Sequence, residues 1–253
     1  MCSLVLNSSI YIPRVKLRPA SGRIRGMKRI LPLYLVVLML VAGLVTVSAQ
    51  VPIEKEPHHK VRLDTLLLRI LEITVPPGVT TLDHRHEYDI ATVALGSAST
   101  RTKRPGEEWG APRIRPLASP DLIEYTGKPV VHQVENIDKT PYHLIAVENY
   151  RTGTWPARKT MTATPATTLA RETRSFAVYD VKLDAANPAT EHAHDLPTVA
   201  ILVSGEITNQ GTNGEEPYPV RGSAKWILIP AAQSHTMAVA GTGAAHVVEV
   251  EVR

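Results

Sequence analysis

Ten histidines occur in the chain, all beyond residue 50, and two of the spacings among them suit metal chemistry. His84 and His86 stand two apart, and so do His192 and His194. On a strand, residues i and i+2 point to the same face, so each pair can direct two imidazoles at one point while Arg85 or Ala193 turns away. A third imidazole from a distant strand, His132 in the first set and His235 in the second, would complete a facial arrangement with positions left for water or substrate. Asp89 could add an oxygen ligand to the first set. The only cysteine is Cys2, so the rest of the chain has no thiolate ligand, no internal disulfide and no cysteine nucleophile. Any metal must be held by His and carboxylate.

The elements that would position these residues are written twice. One segment runs from Arg69 to Asp83 and into His84-Arg85-His86; the other runs from Ala177 to Glu191 and into His192-Ala193-His194. Both open with apolar–acid–apolar alternation (Leu71-Glu72-Ile73; Tyr179-Asp180-Val181), pass through a turn rich in Pro, Gly or Asn, and end in an acid directly before the first His. Alternation of period two predicts half-buried strands. Downstream, His132 precedes His143 by eleven positions, and His235 precedes His246 by the same eleven. Four matched markers in the same order imply internal duplication. Short β-branched runs such as Ala91–Leu95, Val199–Val203 and Trp226–Ile229, each closed by Gly or Pro, predict an all-β fold of two sandwich or barrel domains. Each copy is small for an independent core, so the two are expected to pack together. The expected organisation is an N-terminal extension at 1–26, a leader at 27–49, a polar linker at 50–61, domain 1 at 62–150, a Thr- and Pro-rich linker at 151–171 and domain 2 at 172–253.

These residues resemble the motifs of the cupins, and specifically of two-domain bicupins. Gly78, five residues, His84-x-His86, Asp89, six residues and Gly96 follow the first cupin motif, with Asp in place of Glu and a shorter gap after the second His. Gly127-x-Pro129-x-x-His132-x3-Asn136 follows the second motif with its Pro displaced. In the second copy His192, His194 and Gly205 are kept but Thr198 stands at the acid position, and Pro230-x-Ala232-x-x-His235 has Ala for Gly and Val239 for Asn. The resemblance covers about 62–150 and 172–253. It implies tandem cupin jelly-roll (double-stranded β-helix) barrels, each with any metal inside: a divalent transition metal, iron or manganese by family usage, with zinc, nickel or copper as alternatives. The implied ligands are His84, His86, Asp89 and His132 in the first barrel and His192, His194 and His235 in the second. Cupins perform many chemistries, so the fold alone fixes none. An oxygenase-type enzyme acting on a small organic substrate leads; a non-catalytic binder or sensor of a small molecule or metal, and a sugar isomerase or epimerase, are the alternatives.

Other residues have plainer expectations. His143 and His246 match each other but lie past the metal motifs, which predicts cross-strand packing. His58 and His59, beside Glu54 and Glu56, fall in the expected linker. Arg101, Lys103, Arg104, Arg113 and Arg115 read as a solvated face, with a pocket rim for an anionic substrate as the alternative. Trp109, Tyr125 and Trp226 read as core or barrel-end packing. The chain has no Gly-x-Ser-x-Gly elbow, P-loop, dinucleotide glycine pattern or His-Glu-x-x-His.

The formal charge of +4 invites a nucleic-acid partner until the charges are placed. Seven of the 28 cations and none of the 24 acids lie in residues 1–49, leaving the remainder with 21 cations against 24 anions. The basic character belongs to a leader: Met27-Lys28-Arg29, an apolar run from Ile30 to Val47, then Ser48-Ala49-Gln50, the pattern of a secretory signal peptide. The expectation is export to the periplasm or beyond, or anchoring through 30–47 if the leader is not cut. A small-molecule ligand is expected and nucleic acid is not; self-association is left open.

Overall fold

The computed structural model describes residues 50–151, 166–184, 187, 191–211, 226–240 and 242–253. The readings of 1–26 and of the leader at 27–49 lie outside the described residues, as does most of the 151–171 linker.

Among the described residues every long element is a strand, and one short 3-10 turn (Ile53–Lys55) interrupts them. The first copy contributes β1 (Val51–Pro52), β2 (His59–Asp64), β3 (Leu68–Val75), β4 (His84–His86), β5 (Asp89–Ala94), β6 (Ala98–Lys103), β7 (Arg113–Arg115), β8 (Pro120–Ile123), β9 (Val130–Asn136) and β10 (Tyr142–Asn149). The second contributes β11 (Thr167–Glu172), β12 (Phe176–Leu183), β13 (His192–Ala193), β14 (Thr198–Ser204), β15 (Ile207–Gly211), β16 (Trp226–Ile229), β17 (Ser234–Val239) and β18 (Ala245–Val252). Barrel 1 is a sandwich of a β2-β3-β10-β5-β8 sheet on a β1-β4-β9-β6-β7 sheet; barrel 2 pairs a β11-β12-β18-β14-β16 sheet with a β13-β17-β15 sheet.

The duplication read from histidine spacing reappears in strand register. His143 on β10 sits opposite Thr74 on β3, and His246 on β18 sits opposite Lys182 on β12, at corresponding places in the two repeats. Each of these histidines reaches diagonally, two residues along the other strand, to its acid: His143 Nε2 lies 3.0 Å from Glu72 Oε1, and His246 Nε2 contacts Asp180. They are cross-strand pairs, as expected, and take no part in the interior.

Strands β10 and β18 are buried on both faces, and the reason is layering. One face of β3 and β10 (Leu71, Ile73, Leu144, Ala146) fills barrel 1. The other (Leu68, Ile70, Ile145, Val147) meets Phe176, Val178, Val248, Val250 and Val252 of barrel 2 in one shared core. A sheet covered on both sides reads as continuous apolar residues instead of alternation. Residues 48–253 accordingly form a single compact unit.

Two expected boundaries are corrected. Residues 50–61 are not a linker: β1 pairs in parallel with β4, with Val51 opposite His84, and β2 pairs with β3. Glu56 and His59 are buried. Polarity misled here because an edge strand needs few apolar residues. Residues 167–171 belong to β11, which pairs with β12, and so fall within barrel 2.

Gly205, the motif glycine after β14, is required twice over. Its φ of +79° is a left-handed conformation, and a Cβ would come 2.3 Å from the Ala244 carbonyl oxygen and 2.7 Å from the Ala245 Cα. Backbone cannot step aside, so Gly205→Ala is expected to cost about 2–4 kcal/mol in denaturant unfolding. Gly96, the corresponding glycine of barrel 1, has only an ordinary 3.7 Å neighbour, and Gly96→Ala should stay within about 1 kcal/mol.

Candidate metal centres

In barrel 1 the short β4 carries His84 and His86 inward, and β9 runs antiparallel beside it with His132 opposite His84. The three rings meet at their Nε2 atoms: His132 Nε2 is 3.1 Å from His84 Nε2 and 3.1 Å from His86 Nε2. The tautomer of His84 follows from its far side. Nδ1 lies 2.9 Å from the Leu82 carbonyl, which only accepts, so Nδ1 carries the proton and Nε2 presents a lone pair. That is the arrangement an outer carbonyl imposes on a ligating histidine.

Electrostatics keep these rings neutral. Burial, reinforced by the neighbouring His84, pushes His132 down to about 3; burial likewise lowers His84, against its bond to Leu82, and lowers His86 well below the ordinary imidazole range. Neutral imidazole is the ligating form. The triad forms part of the wall of a cavity of about 320 Å³, with Thr81, Thr92, Tyr125, Tyr142 and Arg115 also lining it.

His59 was expected in a solvated linker and stands instead in this cavity wall, its ring centroid 4.8 Å from that of His84. Its Nδ1 donates to the Ile53 carbonyl at 2.9 Å, and burial followed by repulsion from His84 lowers it to about 3. The sign of the pH effect follows. The folded state leaves His59 neutral where the unfolded chain protonates near 6.5, so stability falls as pH drops below that value and the loss is complete near 3. With metal chelated, wild type should lose stability relative to His59→Gln across this window, approaching about 1.4 kcal/mol per pH unit in urea unfolding at stepped pH.

Asp89 does not join the triad. Its carboxylate accepts from the Thr126 backbone N–H at 2.8 Å, contacts the Ser175 hydroxyl and lies 3.3 Å from the Arg174 guanidinium, tying barrel 1 to barrel 2. Strand parity is the cause. Ile90 and Thr92 of β5 line the cavity, so Asp89, Ala91 and Val93 face the other barrel. The gap after His86 is two residues, one or two short of the family's three or four, and the Asp89 that ends it faces outward.

Barrel 2 repeats the pairing, with His192 on β13 opposite His235 on β17 and His194 one residue past β13. Here a carboxylate that the motifs did not indicate faces all three rings. Glu249 of β18 lies 3.5 Å from His192 Nε2, 3.3 Å from His194 Nε2 and 3.8 Å from His235 Nε2. At His192 and His194 the attraction to Glu249 is electrostatic. Asn209 Oδ1, 3.1 Å from His235 Nδ1, holds that ring with Nε2 turned to Glu249. Burial pulls His194 down, but Glu249 and Glu251 outweigh it and raise it to about 9; burial lowers His235 to about 4. His192 and His194 hold Glu249 below the usual carboxylate range against its own burial.

Thr198, at the motif's acid position, bonds the Leu196 carbonyl. The acid comes from the neighbouring strand instead, and the visible signal was Glu249 within a strand of valines. The donor atoms of His84, His86 and His132, and separately those of His192, His194, His235 and Glu249, each lie within 4.8 Å of one another. Both sets fit a divalent metal on their own chemistry: convergent neutral nitrogens in one, and in the other buried carboxylate oxygens and the Nε2 atoms of His194 and His235 without a hydrogen-bond partner.

The rest of the cationic stretch divides. Arg115 points inward, with Nη2 on Thr92 Oγ1 at 2.9 Å and Nη1 on Tyr142 OH at 3.3 Å, beside Asp121. Arg101 and Lys103 stack on Trp109, each 4.9 Å from the ring centroid, and Arg101 and Arg113 also line the cavity. Tyr125 packs on His86, while Trp226 is buried in the shared core.

Two tandem jelly-roll barrels, each with a histidine triad on the same pair of strands, define the bicupin fold. Solved structures agree at the level of fold. The chain superposes on AerE from Microcystis aeruginosa with a TM-score of 0.55 and 10% identity, covering 78% of this chain and 98% of that one. It matches a salicylate 1,2-dioxygenase from Pseudaminobacter salicylatoxidans with a TM-score of 0.51 and 11% identity (74% and 71% covered), and an oxalate decarboxylase with 0.51 and 9% (74% and 69%). No protein-family model and no curated protein matches the sequence.

Proposed function

We propose that the protein is an exported, metal-dependent bicupin in which barrel 1 is an oxygenase-type site for a small organic substrate. The observation that carries this reading is the convergence of three neutral histidine Nε2 atoms on the wall of a cavity of about 320 Å³. Three protein ligands leave coordination positions facing that space, as catalytic sites require and closed structural sites do not. A divalent transition metal held by His84, His86 and His132 supplies Lewis-acid polarisation of a substrate oxygen and, if it is iron, access to dioxygen chemistry.

The chain's own groups do the rest. The volume suits a compact ligand, about the lower limit of ordinary small-molecule pockets. Ile73, Val75, Ile90 and Leu144 give it an apolar floor that excludes water. Arg115, fixed by Thr92 and Tyr142, offers remaining N–H donors to an anionic or enolic oxygen and so orients it. The fold relatives include a dioxygenase and a decarboxylase, which supports metal-dependent chemistry without choosing between them. Secretion rests on the leader sequence alone.

Oxygen uptake by iron-reconstituted protein against thiol, enediol, flavonoid and hydroxylated aromatic acid substrates tests the reading. Uptake with one class, absent in His84→Ala/His86→Ala, is the expected result. Metal loading without uptake on any of them would leave a metal-binding bicupin that is not an oxygenase.

A further inference from the structure

The two centres differ in one residue, and the difference sets their order of filling. We propose that Glu249 is a fourth protein ligand in barrel 2, and that this site therefore binds a divalent metal more tightly than barrel 1 and retains it when barrel 1 exchanges. The proposal rests on the reading of the chain as a metal protein and goes beyond it, because the motif resemblance supplies no acid to barrel 2.

Register identifies the counterpart of Glu249. His246 corresponds to His143, so Glu249, three residues on, corresponds to Ala146, which is buried in the apolar filling of barrel 1. The three neutral donors that converge in barrel 1 include no carboxylate, and Asp89 is committed to Ser175, Thr126 and Arg174. Barrel 2 has three imidazoles and an anion that is wholly buried, with neither oxygen in a hydrogen bond.

A buried carboxylate needs a cationic partner, and a metal ion bound by the three imidazoles offers its oxygens one directly. Charge favours the same order. Three imidazoles leave a divalent ion's two charges uncompensated in a low-dielectric interior, while Glu249 cancels one of them. The surroundings are built to hold this set: Asn209 orients His235, and Glu251 Oε2 lies 3.6 Å from His194 Nδ1, the far side of that ring. Four protein donors are also the number that closes a site, whereas three facing a cavity leave it open to exchange.

The test is a titration of chelator-stripped protein with Zn²⁺ in competition with a chromophoric chelator, on wild type, Glu249→Gln and His84→Ala/His86→Ala, each checked for β-structure by circular dichroism. Wild type should show two classes of site. Glu249→Gln should weaken the tighter class by on the order of 100-fold and leave the weaker one unchanged. His84→Ala/His86→Ala should abolish the weaker and leave the tighter. Should Glu249→Gln fail to fold, Asn209→Ala gives the second readout, weakening only the tighter class by about 10–100-fold. Two equal sites in wild type, or a tighter class that survives Glu249→Gln and is lost with His84 and His86, overturns the proposal while metal binding stands. No zinc bound by wild type overturns both.

Discussion

Replacing His84 and His86 together with alanine should remove about one metal ion per chain and, on the reading proposed for barrel 1, abolish oxygen uptake, with the fold intact. The argument is geometric. β4 is only three residues long and exists to aim two imidazoles at His132 across one strand pair. With both gone, His132 is the one member of the triad left, and a single imidazole does not retain a divalent ion. Stability should change far less than activity. The substituted side chains face a cavity, and their removal also relieves the mutual repulsion of rings pressed to 3.1 Å. Elemental analysis and unfolding of the same preparation separate the two effects.

The second large effect is expected far from either centre. Phe176 opens β12 and is buried in the core that the two barrels share. Phe176→Ala should cost about 3–5 kcal/mol, the usual range for an aromatic truncated in a packed interior. It should do so in a single transition that unfolds both barrels. Val147 of barrel 1 and Val250 of barrel 2 fill one cluster, so neither sheet can keep its outer face buried alone. Asn149 adds polar closure, its amide donating to the carbonyls of Ser175 at 3.0 Å and Arg253 at 2.7 Å. Two resolved transitions in calorimetry, with only the second barrel's lowered, would contradict the shared core.

The parts legible in the sequence were those carried by short, periodic patterns. Two His-x-His pairs, a third His at matching distance and alternating strands were enough to anticipate two all-β barrels and the residues that meet inside them. What escaped depended on parity and on neighbours. Asp89 has the right chemistry at nearly the right place, but the parity of β5 turns it toward Ser175. Glu249 is the converse case: no spacing from His-x-His points to it, because its contact is made across strands that lie far apart in the chain. An acid in the run His246-Val-Val-Glu-Val-Glu251, on a strand buried on both faces, was the available clue. The polar 50–61 segment conceals its strands for a related reason. Its value lies in edge pairing with β4 and in seating His59, neither of which requires an apolar stretch.

Metal content decides the account most directly. Protein purified and reconstituted in turn with iron, manganese and zinc should hold up to about two ions per chain, falling by about one in His84→Ala/His86→Ala and by about one in a His235→Ala variant. Protein that remains metal-free after all three reconstitutions, while folded, would contradict the central claim that the two histidine clusters are metal centres.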